Sequence, residues 1–173
     1  MSHRNNSPAT RSDHPHYAWL AKELADAEAK GDQDVVLLLR SGLGFALACN
    51  EAWHRALAFR QGQLLGLEFQ DAKQQRFAVI LEDASEPGRY RAQYFDANGI
   101  SGHATRDSAE EVLEELVRDG YRELAPGAMQ RLSQTRDWSL GTLMANLIAQ
   151  VNAGRMTYRA MQDEMAKAAT TLF

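Results

Sequence analysis

The sequence predicts an α+β protein: an antiparallel β-sheet with packed helices, followed by a helical C-terminal region. Three observations predict it. Residues 76–105 alternate apolar and polar side chains around two turn signals, Glu86-Pro87-Gly88 and Asn98-Gly99, as expected of antiparallel strands. Residues 108–120 carry a complete helix signature. From Leu140 onward, apolar residues recur at i, i+3, i+4 and i+7, the spacing of an amphipathic helix.

Taken in chain order, residues 1–12 are polar and read as a disordered tail. The histidines His3, His14 and His16 fall in it or at its edge, with a spacing that matches no zinc-ligand pattern. Asp13 is suited to cap a first helix with Pro15 in its first turn. Tyr17, Leu20, Ala21, Leu24 and Ala27 keep a helical period up to Gly31. The apolar run over residues 34–40 reads as a buried strand, bounded by Gly31 and Gly42. Residues 44–49 read as a second strand after the turn Ser41-Gly42-Leu43-Gly44, and Asn50 as the cap of a helix through Trp53, Ala56 and Leu57. Residues 63–69 read as a third strand weakened by Gly66.

Residues 76–82 and 89–95 are predicted strands. In the second, Tyr90, Ala92 and Tyr94 share one face, and Arg89, Arg91, Gln93 and Phe95 the other. Asp96-Ala97-Asn98-Gly99 turns the chain into a partner strand over 100–105. Ser108 and Glu111 form a capping box, Val112, Leu113, Leu116 and Val117 a buried stripe, and Gly120 the C-terminal stop. Three antiparallel strands with one helix packed on them are therefore expected over 76–120. Pro126-Gly127 breaks the chain. A short helix over 128–132, a longer one ending at Asn152-Ala153-Gly154, and a closing helix with Met156, Met161 and Met165 complete the prediction. The organisation reads as a tail (1–12), an α/β segment (13–72), the sheet with its helix (73–125) and the C-terminal helices (126–173).

The chain has 173 residues and a formal net charge of −4, which excludes a generally basic nucleic-acid binder. Hydrophobic residues make up 45% and charged residues 24%, ordinary values for a globular protein. One cysteine, Cys49, forms no intramolecular disulfide, so a reducing, cytoplasmic compartment is expected. The first residues lack the apolar core of a signal peptide, and no run of 18 apolar residues occurs, so no membrane span is expected.

For chemistry, a nucleophile needs a base within hydrogen-bond reach. Cys49 with His54 or His103 is the pair the sequence offers, and Cys49 lies in an apolar run where a thiol packs as a small hydrophobe. The phosphate-loop, dinucleotide-loop, zinc-helix and nucleophile-elbow motifs are missing. No catalytic residue, metal ligand or cofactor is expected.

Two surface patches remain. Glu110, Glu111, Glu114 and Glu115, with Asp119 at the end of the helix, form an acidic face opposite the apolar stripe, with Arg118 placed to pair with Glu114 and Glu115. Such a face is able to imitate phosphates and engage a protein that binds nucleic acid. Arg89 and Arg91, with His103 and Arg106 nearby, are the alternative: a hairpin that docks on nucleic acid. Trp138 and the methionines of the last helix offer a further surface for a protein partner.

Two stretches resemble known families. Residues 34–42, with Phe45 and Glu51-Ala52, resemble the opening of the mismatch-recognition domain of DNA mismatch-repair ATPases. Gly44 stands where that family has its wedging phenylalanine and Ala46 where it has its glutamate, so the resemblance implies a strand and glycine turn but not mismatch binding. Tyr94 to His103, Gly120-Tyr121, Trp138 to Gly141 and Val151 to Gly154 are similar to uncharacterised accessory proteins of bacterial plasmids and integrative elements. That likeness spans residues 76–160. It implies a non-enzymatic interaction protein of a mobile genetic element, an anti-CRISPR or anti-restriction inhibitor that binds a nucleic-acid-targeting defence complex of the host.

Overall fold

The computed structural model describes residues 11–171. Their elements are α1 (Pro15–Lys30), α2 (Gln33–Phe59), β1 (Glu68–Asp71), β2 (Phe77–Glu82), β3 (Tyr90–Asp96), β4 (Gly99–Arg106), α3 (Ala109–Arg118), β5 (Tyr121–Leu124), α4 (Ala128–Ser133), α5 (Arg136–Asn152) and α6 (Tyr158–Thr171). The α+β class and the helical C-terminal region stand as expected. His3 and most of the polar N-terminal segment lie outside the described residues.

The five strands form one antiparallel sheet in the order β4-β3-β2-β1-β5. The meander β1 to β4 follows the predicted turns, and α3 carries the chain across the sheet to β5 on the far side of β1. Two strands are thus added to the three expected over 76–120. The strand predicted over 63–69 shrinks to β1: Gly66 takes a positive φ of 75°, its N–H donates to Ile80 O at 2.8 Å, and regular pairing starts only at Glu68. β5 is a four-residue strand whose pairing, Phe69 opposite Leu124, has no local turn to announce it.

The largest correction lies in residues 34–57. The two expected strands, the turn at 41–44 and the helix from Asn50 are a single helix, α2, as is the segment that carried the mismatch-repair resemblance. Asp32 caps it, accepting from the Val35 N–H at 3.2 Å. A helical stripe was present in the sequence: Val36, Ala46, Asn50 and Trp53 are buried with Leu39 and Leu43 between them. It was hidden because Leu37, Leu38, Phe45 and Leu47, on the other sides of the helix, are apolar too. The helix is long and apolar enough to cross a membrane by length and composition, which the sequence reading had not anticipated. Its C-terminal half, however, is the central core helix of this fold.

That core lies between the sheet, α2 and α3. Cys49, Trp53 and Ala56 from α2, Phe69, Ala78, Ile80 and Ala92 from the sheet, and Val112, Leu113, Leu116 and Val117 from α3 are all fully buried. The predicted faces of β3 hold: Ala92, with Tyr90 and Tyr94, belongs to this core, while Phe95 points to the opposite side of the sheet. There Phe95 stacks on Phe77 (5.5 Å) and meets the edge of Trp138 (6.0 Å), closing a second core under α4 and α5.

The entrance to α1 departs from prediction as well. The N-cap is His14, without a side-chain cap bond. Asp13 instead accepts from Asn50 Nδ2 (3.2 Å) and lies 3.0 Å from His54 Nε2. His14 is fully buried; its N–H donates to Asn50 Oδ1 (2.9 Å), and its ring stands edge-on to Trp53 at 5.7 Å. Neither ring nitrogen has a well-formed hydrogen bond among the described residues. Burial lowers the pKa of His14 below the ordinary 6.5, with Glu114 opposing. The unfolded chain therefore binds a proton here that the folded chain refuses, so stability is full above pH 6.5 and declines as the pH falls below it. Urea titrations between pH 7.5 and 5 are expected to show this decline in the native chain and a shallower one in His14→Leu. Equal slopes would place the titrating group elsewhere. The carboxylates whose pKa is lowered from the ordinary 3.8 (Asp13, Asp71 and Asp83) act in a separate, more acidic window.

Candidate interaction surfaces

The acidic face forms as the capping box dictates. Ser108 Oγ accepts from the Glu111 N–H at 3.1 Å, and Glu111 Oε2 accepts from the Asp107 N–H, one residue before the expected donor. With the apolar stripe of α3 in the core, the glutamates face outward and are half-buried. They are not a free acidic surface. Arg11 lies 3.3 Å from Glu114 and 3.8 Å from Glu110, and its N–H donates to Glu110. Arg106 Nη2 meets Glu115 Oε1 at 2.6 Å, and that glutamate side chain is only 13% exposed. Arg118, expected to pair with Glu114 and Glu115, instead has its Nε 3.7 Å from Asp119. A shallow cleft of about 190 Å³ runs between Arg106, Arg118 and the three glutamates 111, 114 and 115. In a separate depression lined by Arg76, Ser101, Asp119 and Tyr121, burial pushes the Tyr94 hydroxyl up to about 12, helped by the charges of Glu115 and Asp119.

Two of the arginines in the basic patch are paired in the same way. Arg89 reaches Glu86 (3.0 Å) and Asp107 (3.2 Å), and Arg106 belongs to Glu115. Arg91 is half-buried opposite Thr105, with a buried Nε that has no hydrogen bond among the described residues. His103 is exposed on β4, opposite Gln93. The two candidate patches are therefore joined, base to acid, along one edge of the molecule.

Cys49 and the histidines are not brought together. Cys49 is buried in the core, with Sγ 3.9 Å from Val117 O, and burial raises its pKa. His54 turns away from it on α2, roughly 140° around the helix at 100° per residue, to reach Ser12 O at 2.9 Å. His103 belongs to β4. Among the described residues, no group of three or more His, Cys, Asp or Glu side chains is arranged to hold a metal ion.

The surface that sequence reading undervalued is at the C-terminal helices. α5 packs on the β3–β4 turn, where Gly141 lies directly against the Asn98 backbone. Beside this contact an open, largely apolar groove of about 470 Å³ runs over Leu140, Met144, Ala145, Ile148 and Met165, with Asp137 at its rim. Of the apolar residues that recur along α5 from Leu140 (Leu140, Leu143, Met144, Leu147, Ile148 and Val151), only Leu147 is buried; Ile148 is 44% exposed. The closing helix starts at Tyr158, so Met156, expected within it, lies in the segment before it; Met161 is buried, Met156 and Met165 half-buried. A glycine inside the predicted helix, at a cost of about 1 kcal/mol relative to alanine, was the signal for the close packing that creates this groove. Compared with known proteins, the chain matches no family model, no curated protein and no solved structure.

Proposed function

We propose that this protein acts by binding another protein, with the α5–α6 groove as the principal contact. The observation that supports this reading most is the apolar groove beside Asp137, where the fold leaves Ile148 44% exposed and Leu140, Met144 and Met165 only half-buried. The chemistry that would fill it is an apolar helix or extended segment with a basic residue placed to meet Asp137. The acidic α3 face is the secondary contact. Its glutamates are already held by Arg11 and Arg106, so a partner gains less by pairing with them than with free carboxylates.

The narrower reading is an inhibitor of a host nucleic-acid-targeting defence complex, and it rests on the likeness of residues 76–160 to accessory proteins of mobile elements. Its direct test is the transformation efficiency of a targeted plasmid in a defended strain, with and without the chain. Binding itself is tested by pull-down from the native host with three variants. Ile148→Glu is expected to lose the bound protein, while charge reversal at Glu111, Glu114 and Glu115 weakens it. The alternative, nucleic-acid binding through the β3–β4 hairpin, predicts the opposite: recovered nucleic acid, steep salt dependence, and loss on Arg89→Ala with Arg91→Ala. Retention of the protein partner by Ile148→Glu would remove the groove from the mechanism.

A further inference from the structure

We infer that the N-terminal half of α2 is the interface of a two-fold dimer, in which a second copy of this helix packs antiparallel against it. This surface lies on the opposite side of the sheet from the α5–α6 groove and does not rest on the reading above.

The observation begins with an orphaned seam. The core stripe of α2 that buries Cys49, Ala52 and Ala56 continues toward the helix N-terminus after the sheet and α3 have ended. Asp34, Leu38, Ser41, Phe45 and Ala48 follow one another at alternating spacings of four and three, the repeat of a helix that packs against another helix. Leu38 is 70% and Leu37 66% exposed, and Phe45 is 44% exposed. Leu38 and Phe45, two turns apart on this face with Leu37 at its flank, are apolar surface of the kind a second helix covers.

The glycines supply an independent argument. Gly42 and Gly44 sit in mid-helix, where each is less favourable than alanine by about 1 kcal/mol. Neither has a positive φ, and a Cβ at either would meet nothing within 4 Å. Nothing within the monomer calls for them. A close helix outside it does.

Self-complementarity identifies that helix. Set antiparallel with Leu38 opposite Ser41 of the second copy, the helices place bulk against small residues throughout: Leu37 faces Gly44, Val35 faces Gly42, and the reverse holds by symmetry. In this register Asp34 lies opposite Phe45 of the second copy. That ring carries the Arg122 guanidinium at 4.7 Å and the edge of His16 at 6.0 Å. An acidic residue at one end of the seam thus meets a basic group at the other, twice per dimer. The second helix begins opposite Ala46, short of Cys49, where α2 enters its own core. A bilayer is a poorer occupant: α1, packed beside the seam, carries Lys22, Glu23, Asp26 and Glu28, and Glu28 holds Arg40 at 2.8 Å.

The test is the mass of the full chain in solution by sedimentation equilibrium, with vesicle flotation alongside. The native chain is expected at twice 19.3 kDa. Leu38→Glu is expected to halve that mass. Gly44→Ala discriminates best, because in a monomer the alanine only strengthens the helix, whereas in the dimer its methyl separates the chains. It should shift the chain toward monomer without lowering its helix content, and it carries the test if Leu38→Glu fails to fold. Asp34→Arg should dissociate the dimer, and Asp34→Arg with Arg122→Asp should restore it. A native chain of 19.3 kDa at all concentrations overturns the inference, and flotation with phosphatidylcholine–phosphatidylglycerol vesicles would then assign the seam to lipid. A dimer unchanged by both Leu38→Glu and Gly44→Ala overturns it as well, placing the interface on another face.

Discussion

Gly141→Ala is expected to detach the C-terminal helices from the sheet. A Cβ at this position would sit 1.8 Å from Asn98 O and 2.6 Å from Asn98 C, distances that no rotamer change relieves because both atoms are backbone. The opposing side is equally constrained: Gly99 holds a φ of 110°, and a Cβ there would lie 3.1 Å from Thr142 Oγ1. Helix and turn meet through two glycines, so neither can yield without the other. Either α5 backs away or the β3–β4 turn bends, and in both cases Trp138 loses its edge contact with Phe95. Overpacking of this severity is destabilising by on the order of 3 kcal/mol, which for a chain of this length lowers the melting temperature by roughly 6–12 °C. The loss should be uneven. Limited proteolysis is expected to cut first around residues 133–136 while the α2–sheet–α3 core stays protected. An unchanged melting temperature would show that α5 does not approach the turn so closely.

Trp53→Ala is the second large effect, and it strikes the other core. Trp53 is fully buried between α3, the sheet and the segment leading into α1. Its ring receives the His14 edge, and its Nε1 donates to Arg11 O at 3.4 Å. Truncation leaves a large cavity at a loss of about 3–5 kcal/mol. It also frees residues 11–14, and with them the Arg11 clamp on Glu110 and Glu114. Trp53→Phe separates the two roles, keeping most of the apolar volume while removing the indole N–H. Urea denaturation should place it well above Trp53→Ala in stability. Comparable losses for the two variants would assign the energy to the N–H···O bond rather than to packing.

What the sequence disclosed depended on whether the physics was local. Helix α3 was legible because Ser108, Glu111 and four stripe residues lie within ten positions and agree with one another. The β2–β3–β4 meander was legible because Pro87-Gly88 and Asn98-Gly99 mark its turns. α2 was misread because exposed apolar residues, Leu37, Leu38, Phe45 and Leu47, flank its buried stripe, so apolar side chains encircle it and its period is hidden. β5 escaped because a four-residue strand next to β1 is specified by a partner about fifty positions away. The residues of the acidic and arginine patches are half-buried in large part, Glu115 and Arg91 among them. What the sequence could not display was their mutual neutralisation, since Arg11–Glu114 and Arg89–Asp107 pair across elements distant in the chain or set at an angle to each other.

The order β4-β3-β2-β1-β5 has a consequence for the nascent chain. As the polypeptide leaves the ribosome, β1 finds β2 at once, yet its outer flank stays bare until Tyr121–Leu124 have been made and α3 has swung across. An unpaired flank is where neighbouring chains stick to one another. Here it is only four residues long and ends in carboxylates, Glu68 and Asp71, which repel a second identical strand. The most delayed pairing in the sheet is thus assigned to the strand least able to recruit a stranger while it waits.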